Sequence, residues 1–352
     1  MPEKCPKDFA LSCPTALDRH TTVQLAHGGG GRLMRQLIES TFRPAFGPRG
    51  EPPHDSAVVE IDGVRLAFTT DTFVVRPLFF PGGDIGRLAV CGTVNDLAMA
   101  GARPLYLSAG FVLEEGLPLE TLRRIVDSMH EESRGVGVQI VTGDTKVVDR
   151  GKGDGIFINT AGIGQVPRGV EISPRRVVPG DAILVSGDLG RHGMAVMSVR
   201  EGLGFSGDLA SDCAPLAGLV EAMLAVGDGI HCLRDLTRGG LAAALCEIAE
   251  DAQGGIEVDE AAVPVSGPVS AACELLGLDP LYVANEGRLV AMVAAEAAEQ
   301  VLEILRRHPA AHGPAIIGHV LAEHPGTVEM RGLLGGGRIL DLLSGEQMPR
   351  IC

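Results

Sequence analysis

The chain has 352 residues, which is long for one hydrophobic core and predicts two domains of ordinary size. Hydrophobic residues make up 45% of the sequence, as expected for a folded globular protein rather than a disordered one. The formal net charge of −15 argues against a nucleic-acid-binding surface, which needs a basic face, but it is compatible with metal-assisted phosphate chemistry.

No apolar run approaches the roughly 20 residues that span a bilayer. The first twenty residues also lack the charged start and apolar stretch of a signal peptide. We therefore expect a cytoplasmic protein. The eight cysteines occur singly, without a C-x-x-C pair, which fits reduced thiols and offers no zinc framework.

In the first half, a glycine-rich loop "HGGGG" leads into an amphipathic helix, and two β-branched runs flank Asp62-Gly63 as in a β-hairpin. A helix is predicted from Ile85 to Ala102, followed by a strand at "LYLSAGFVL". Pro118 opens a helix whose predicted buried residues are Leu122, Ile125, Val126 and Met129. The runs "GVQIVTGDTKVV" and "GIFINTAGIGQV" are predicted strands.

The second half begins near "VVPGDAILVSG", a turn that leads into a buried strand. Strands are also predicted at "GIEV" and "GRLVAMV", and helices at 192–202, 216–226, 239–251, 268–277 and 295–307. Because both halves mix hairpins with helices, the fold class is α+β rather than a doubly wound parallel sheet. The predicted divisions are a leader at 1–22, domains at 23–166 and 167–331, and a glycine-hinged, mobile tail at 332–352.

Four aspartates share one context, because each lies at a strand end or in a short polar break within an apolar run. They are Asp55, Asp71, Asp96 and Asp144. Any one of them is compatible with a turn or cap residue. Together they predict a Mg²⁺ site, since converging carboxylates repel one another unless a cation lies between them. Asp96 gives the sharpest local argument, because it lies beside Asn95 in the middle of an apolar helix.

Other polar residues are candidates with structural alternatives. Lys146 suits a phosphate contact or a solvent-facing strand end. Asp235 suits a helix cap, and Arg238 either binds an anion or pairs with Asp235. Glu286 suits a general base or a turn acid before Gly287. Cys352, the last residue, is either a working thiol or a frayed end.

Several motifs together resemble the HypE family of hydrogenase maturation proteins. They are "LAHGGGG", "TTDTFVVRPLFFPGGDIGRLAVCGTVNDLAMAGARP", "GFVLEEGLP", "IVTGDTKVV", "FINTAGIG", "DLTRGG", "ANEG" and the final "PRIC". The resemblance runs from about Gln24 to Cys352. The core motifs indicate the wider superfamily of aminoimidazole ribonucleotide synthetase, selenophosphate synthetase and thiamine-phosphate kinase, and the terminal "PRIC" separates HypE from these relatives.

The resemblance implies that a partner, HypF, carbamoylates Cys352, and that ATP-dependent loss of water then converts the thiocarboxamide to a thiocyanate. It implies a passage of the cyano group to a HypC–HypD complex, and a homodimer whose N-terminal domains share a β-barrel with ATP near the interface. Implied catalytic residues are Cys352, Glu286 and Lys146. Asn95, Thr145 and Lys146 are implied to bind ATP with the four aspartates, which are the implied Mg²⁺ ligands.

Two other functions are compatible with parts of the sequence. A small-molecule kinase or synthetase of the same superfamily predicts ATP turnover that does not depend on Cys352. A carrier or scaffold that only displays its tail predicts no ATP hydrolysis, and the set of aspartates counts against it.

Overall fold

The structure is a computed structural model that describes residues 21–47, 54–203, 209–332, 335–345 and 347–352. Cys5 and Cys13 of the predicted leader lie outside the described residues. Among the residues described, no helix is long and apolar enough to cross a membrane.

The first domain is a five-stranded sheet with helices on one face. In spatial order the strands are β1 (Ala57–Ile61), β2 (Val64–Phe73), β7 (Ile156–Gln165), β5 (Arg103–Glu114) and β6 (Gln139–Val148). Only β5 and β6 pair in parallel, as expected when a helix connects two strands. The remaining elements of this half are α1 (Arg32–Leu37), α2 (Arg43–Phe46), β3 (Phe79–Phe80), β4 (Gly83–Asp84), α3 (Ile85–Met99) and α4 (Leu119–Val136).

The predicted hairpin and helices of this half are confirmed, with one error. Asp62 and Gly63 have φ values of 51° and 77°, the left-handed conformations that a two-residue hairpin turn requires. Helix α3 begins where the Asp84 carboxylate accepts hydrogen bonds from Gly86 N (2.7 Å) and Arg87 N (3.1 Å). Val126 on α4 is 44% exposed, so its predicted burial is wrong.

The second domain is a seven-stranded sheet between helices. In spatial order the strands are β14 (Gly337–Leu340), β13 (Val328–Arg331), β10 (Gly255–Asp259), β12 (Ala315–Leu321), β8 (Ala182–Val185), β11 (Leu289–Val293) and β9 (Ile230–Asp235). Its helices are α5 (Arg191–Arg200), α6 (Ala217–Leu224), α7 (Gly240–Ala252), α8 (Gly267–Leu276) and α9 (Ala298–Arg307). The five helices were predicted, whereas β9, β12, β13 and β14 were not.

Helix α3 lies between the two domains. Thirteen of its fifteen residues are buried, as expected for a helix that is apolar on nearly every side. Its C-terminal residues Ala98 and Met99 join the core that α6 and α9 form with the second sheet. The helix therefore holds Asn95 and Asp96 at the junction of the two domains.

The predicted tail begins as part of the second sheet. Residues 337–340 form β14, which pairs with β13. Just before this strand, Gly332 N donates to Gly336 O at 2.7 Å, and Gly335 has a φ of 81°. Residues 347–352 then lie at the junction between the domains.

Candidate active site between the domains

Four aspartates converge at the domain junction from four different elements. Asp55 precedes β1, Asp71 lies in β2, Asp96 in α3, and Asp235 ends β9. Burial raises the pKa of Asp96 well above its usual range, and the charges of Asp235, Asp71 and Asp55 raise it further. Asp55, Asp71 and Asp96 of the predicted set thus lie in this cluster, and Asp235 lies there with them whereas Asp144 does not.

Two arginines offset part of the repulsion between these acids. Burial raises the pKa values of Asp55 and Asp71, while Arg234 opposes the rise at Asp55 and Arg238 opposes it at Asp71. Arg234 Nη1 lies 3.2 Å from Asp55 Oδ1. Burial also raises the pKa of Asp235 well above its usual range, with Asp55 as the next cause. The cluster remains short of positive charge.

The donor set fits a cation bound together with phosphates. Asp55 Oδ2 and Asp235 Oδ2 are buried without a hydrogen-bond partner, and a buried carboxylate oxygen without a partner is costly. Within the described ranges, no group of three or more Asp, Glu, His or Cys side chains is arranged so that it could hold a metal ion by itself. Mg²⁺ commonly takes one or two carboxylates, water and substrate phosphates, so these residues suit it as part of a nucleotide complex.

Glu286 is fixed beside this cluster by its main chain while one side-chain oxygen stays unused. Asp212 Oδ2 accepts hydrogen bonds from Glu286 N (3.2 Å) and Gly287 N (3.0 Å). A side chain at Gly287 would collide with the Asp212 carbonyl, so this close approach requires glycine. Glu286 Oε1 is buried without a partner, and burial raises the pKa of Glu286 well above its usual range.

Asn95 holds the loop that supports Glu286. Its Nδ2 donates to Ala214 O (3.1 Å) and Glu286 O (3.3 Å), and its Oδ1 accepts from Leu216 N (2.7 Å). The side chain is 2% exposed, and both amide hydrogens are used within the protein. Asn95, predicted to bind the cofactor, is thus a positioning residue in this structure.

Arg238 connects the acids to the end of the chain. The pKa of Arg238 is raised, and its electrostatic interaction with Cys352 is the largest cause. Burial opposes this rise, and the charges of Asp71, Glu286 and Asp96 add smaller increases. The glycine-rich loop packs on the same residue, because Arg238 Nη1 donates to Gly28 O at 3.3 Å. Gly30 approaches the Arg238 main chain so closely that a Cβ atom would collide with it.

Cys352 itself is docked at the domain junction and is 8% exposed. Val74 N, just after β2, donates to Cys352 O at 2.9 Å. Cys352 packs in a hydrophobic cluster with Phe73, Val75 and Ala284 from both domains. The last residue of the sequence therefore lies in the site rather than as a frayed end.

Asp144, Thr145 and Lys146 do not reach this site within one chain. Asp71 shares a register row with Thr160, Ala109 and Gly143, so Asp144 lies one residue out of that row and on the opposite face of the sheet. Three strand spacings separate β2 from β6, or about 14 Å. Lys146 pairs with Asp144, and both side chains are more than two-thirds exposed. Within one chain, the four aspartates predicted to bind Mg²⁺ are therefore not all brought together.

Several residues of the site have no sequence signal. Asp235 was considered only as a helix cap or as a partner of Arg238, because "IHCLRD" lacks the apolar alternation that predicts a strand, and β9 was therefore not predicted. Asp212 binds main-chain amides of residues far away in sequence, a role that no local pattern indicates. The polar stretch "SDC" before Pro215 is compatible with an ordinary turn.

Comparison with known proteins defines the class and then the family. The "AIR synthase related protein, N-terminal domain" family matches residues 53–166, and the corresponding C-terminal domain family matches residues 178–331. The chain therefore has the two-domain α+β fold of the AIR synthase-related proteins, in which its site lies between the domains.

Within this class, three similar proteins share one family name. "Carbamoyl dehydratase HypE" of Azotobacter vinelandii is 55% identical over 95% of this chain and 98% of its own length. A HypE structure in a HypE–HypF complex has 47% identity and a TM-score of 0.83, covering 87% of this chain and 99% of that one. HypE in complex with ATP has 50% identity and a TM-score of 0.80, covering 94% and 100%. The chain belongs to the HypE family.

Proposed function

We propose that this chain uses ATP to dehydrate a carbamoyl group carried on Cys352, converting a thiocarboxamide to a thiocyanate. The observation that carries the proposal is the docking of Cys352 at the domain junction, where Val74 N donates to Cys352 O at 2.9 Å and Ala284, two residues before Glu286, belongs to the same hydrophobic cluster. A thiol held against a cluster suited to nucleotide phosphates is in the right place to serve as the substrate.

The reaction transfers the amide oxygen to phosphate. The γ-phosphoryl group bonds to the carbamoyl oxygen, the amide nitrogen loses two protons, and the carbon–oxygen bond breaks as phosphate leaves. A carbon–nitrogen triple bond forms, and the products are thiocyanate, ADP and inorganic phosphate. ATP as the phosphoryl donor is supported by the ATP complex of a HypE relative that is 50% identical.

The residues of this chain divide the work. Glu286 removes a proton from the nitrogen, since its Oε1 has no partner and its raised pKa suits a base that works near neutral pH. Arg238 orients phosphate oxygens as a fixed donor. Asp55, Asp71, Asp96 and Asp235 would hold Mg²⁺, which neutralises charge on the phosphates when bound.

We also propose that a second copy of the chain supplies Asp144, Thr145 and Lys146. Asp144 and Lys146 lie on the sheet face opposite α3, whereas Thr145, between them, lies on the α3 face. On the face of Asp144 and Lys146, Phe68, Ile163 and Tyr106 form an apolar row across three strands and are each at least 40% exposed. An exposed apolar row of this kind supports a homodimer in which the two N-terminal sheets face each other in a barrel. Lys146 then serves phosphate or the reacting group in the site of the other copy.

The partners follow from the family. A HypF protein serves as the carbamoyl donor, as supported by the HypE–HypF complex of a relative. A HypC–HypD complex accepts the cyano group, which later becomes a cyanide ligand of the nickel–iron centre of a hydrogenase. Neither partner is needed to test the chemistry on Cys352.

The test is mass spectrometry of the C-terminal peptide after carbamoylation, with and without Mg·ATP. We expect loss of one water from the carbamoylated peptide only with ATP, and heavy oxygen placed in the carbamoyl group should appear in the released phosphate. Cys352→Ala should show neither. ATP consumption by Cys352→Ala with a free metabolite would instead establish the small-molecule kinase.

A further inference from the structure

Helix α5 binds three successive main-chain carbonyls of the tail. His192 Nε2 lies 2.8 Å from Ile351 O. Arg200 donates from Nη1 to Pro349 O at 2.7 Å and from Nη2 to Arg350 O at 2.8 Å. A carbonyl oxygen only accepts hydrogen bonds, so Nε2 of His192 carries the proton.

The first domain binds the same segment from the other side. Val74 N donates to Cys352 O (2.9 Å), and Arg76 N donates to Arg350 O (3.3 Å). Arg200 also donates to Arg76 O, at 2.6 Å from Nη2 and 3.1 Å from Nε. The tail is thus enclosed between α5 and the segment after β2, with Arg200 joining all three.

Arg350 adopts a conformation that depends on these contacts. Its φ of 56° is left-handed, which side chains other than glycine seldom adopt without support. Its Nε donates to Val74 O at 3.0 Å, and its guanidinium pairs with Asp154. The turn at Arg350 is therefore a property of the docked tail rather than a local preference of the sequence.

His192 is itself rigidly held. The Phe80 ring packs edge-on against it with centroids 5.2 Å apart, and Nδ1 lies 2.8 Å from Ser211 Oγ. His192 N donates to Asp212 Oδ1 at 2.9 Å. The other oxygen of the same carboxylate holds the main chain of Glu286. One aspartate thus fixes the geometry of the tail relative to the proposed base.

We propose that His192 and Arg200 form a tail clamp, a pair of positioning residues that bind the main chain of residues 349–351 and hold Cys352 at Glu286 and Arg238. The clamp deepens the proposed function and rests on it. Because the clamp binds main-chain carbonyl oxygens, its binding depends on the direction and length of the tail more than on the side chains of Pro349 and Ile351.

The first test measures docking without any catalysis. Full-length protein is treated with iodoacetamide, and alkylation of Cys352 is followed on its C-terminal peptide. Arg200→Ala and His192→Ala should each raise the alkylation rate about tenfold or more, since each loses hydrogen bonds that shield the thiol. His192→Gln should retain part of the protection, because its amide also donates to a carbonyl. Arg191→Ala is the matched control, since Arg191 lies on the same helix but pairs with Asp188.

The second test measures dehydration. The thiol is carbamoylated with potassium cyanate, which adds across the S–H bond, and ATP-dependent loss of water is timed. The clamp variants should lose about tenfold in rate with an unchanged KM for ATP, because neither clamp residue belongs to the acid cluster. Arg191→Ala should match the wild type.

The two proposals fail separately. Equal alkylation rates in Arg200→Ala, His192→Ala and Arg191→Ala would overturn the clamp, even if the wild type dehydrates its tail. Clamp-dependent protection without any dehydration in the wild type would overturn the proposed function and leave docking intact. If His192→Ala fails to fold, Arg200→Ala still decides, because that side chain is only half-buried.

Discussion

Two groups of charged residues that the sequence presents in the same context have opposite surroundings in the fold. Asp55, Asp71, Asp96 and Asp235 share a junction between domains, where burial and mutual repulsion raise their pKa values. On the edge strand β6, Lys146 lowers the pKa of Asp144 by donating a hydrogen bond to it. The first group needs positive charge, and the second holds a lysine in an exposed pair with Asp144.

The contrast indicates how the site is completed. A buried acid cluster is prepared for cations and phosphates but lacks a lysine. The β6 pair offers a lysine on a face that already exposes an apolar row to a second copy. In the symmetric dimer proposed above, the β6 strand of each copy would supply this lysine to the acid cluster of the other.

The largest effect is expected when two inactive variants complement each other, which tests whether the acid cluster and β6 of different copies form one site. Asp96→Asn and Lys146→Met should each lose at least about a hundredfold in dehydration, as for removal of a positioned electrostatic group. After mixing and subunit exchange, half of the dimers are mixed and each contains one intact site, so about a quarter of wild-type activity should return. The measurement is the rate of water loss from the carbamoylated tail. No recovery after verified exchange would mean that each site uses its own β6.

A second test removes the apolar contact. Ile163→Arg puts a charge in the middle of the exposed row, and burying an unpaired charge at an interface is costly. We expect a folded monomer by analytical ultracentrifugation, with dehydration reduced about as far as in Lys146→Met. Val178→Arg is the control, because Val178 is also exposed (48%) but lies in the second domain. A dimer that persists in Ile163→Arg would place the interface elsewhere.

The third test asks whether Glu286 acts as the general base or only contributes charge to the site. Glu286→Gln should lower the rate by about 10²- to 10⁴-fold, the usual range for loss of a general base. Because the pKa of Glu286 is raised, the wild-type rate should fall as pH drops through that raised pKa, when the carboxylate takes up a proton. The variant should lack this step in its pH profile.

Glu303→Gln, on the exposed surface of α9, is the matched control for this substitution. A profile in Glu286→Gln that keeps the wild-type pH step would assign the base to another residue.

The sequence predicted the main helices and the hairpin of the first domain, and it predicted that Asp55, Asp71 and Asp96 lie together. Hairpin turns, helix caps and apolar spacing are local signals that a single sequence carries. Asp62-Gly63 and the Asp84 cap are examples in which the chain itself dictates the geometry. Glu286 and Cys352 were candidates with structural alternatives until the resemblance favoured catalytic roles, and the structure adds that both interact electrostatically with Arg238.

The remainder depends on register and on distant main-chain atoms. Asp144 has the same local context as Asp71, but a shift of one residue in register puts it on the other face of the sheet. In β9, His231 and Arg234 interrupt the alternation of apolar and polar residues that predicts a half-buried strand. His192, Arg200 and Asp212 bind backbone groups, and such pairings leave no pattern in the side chains of a single sequence.

The smallest expected effect is on the free energy of unfolding, and it differs between the two regions. The folded-state pKa of Asp96 lies above its unfolded value, so the folded protein binds more protons than the unfolded chain between the two values. Stability therefore falls as pH rises through that window, and the cost persists above it. Asp96→Asn should remove this cost and raise the free energy of unfolding at neutral pH by about 1 kcal/mol without metal, although it impairs ATP use. Lys146→Met, at an exposed pair, should stay within about 0.5 kcal/mol of wild type. Denaturant unfolding at several pH values measures both, and a destabilised Asp96→Asn would mean that the hydrogen bond from Thr69 Oγ1 to Asp96 Oδ2 (2.8 Å) outweighs the cost of the buried charge.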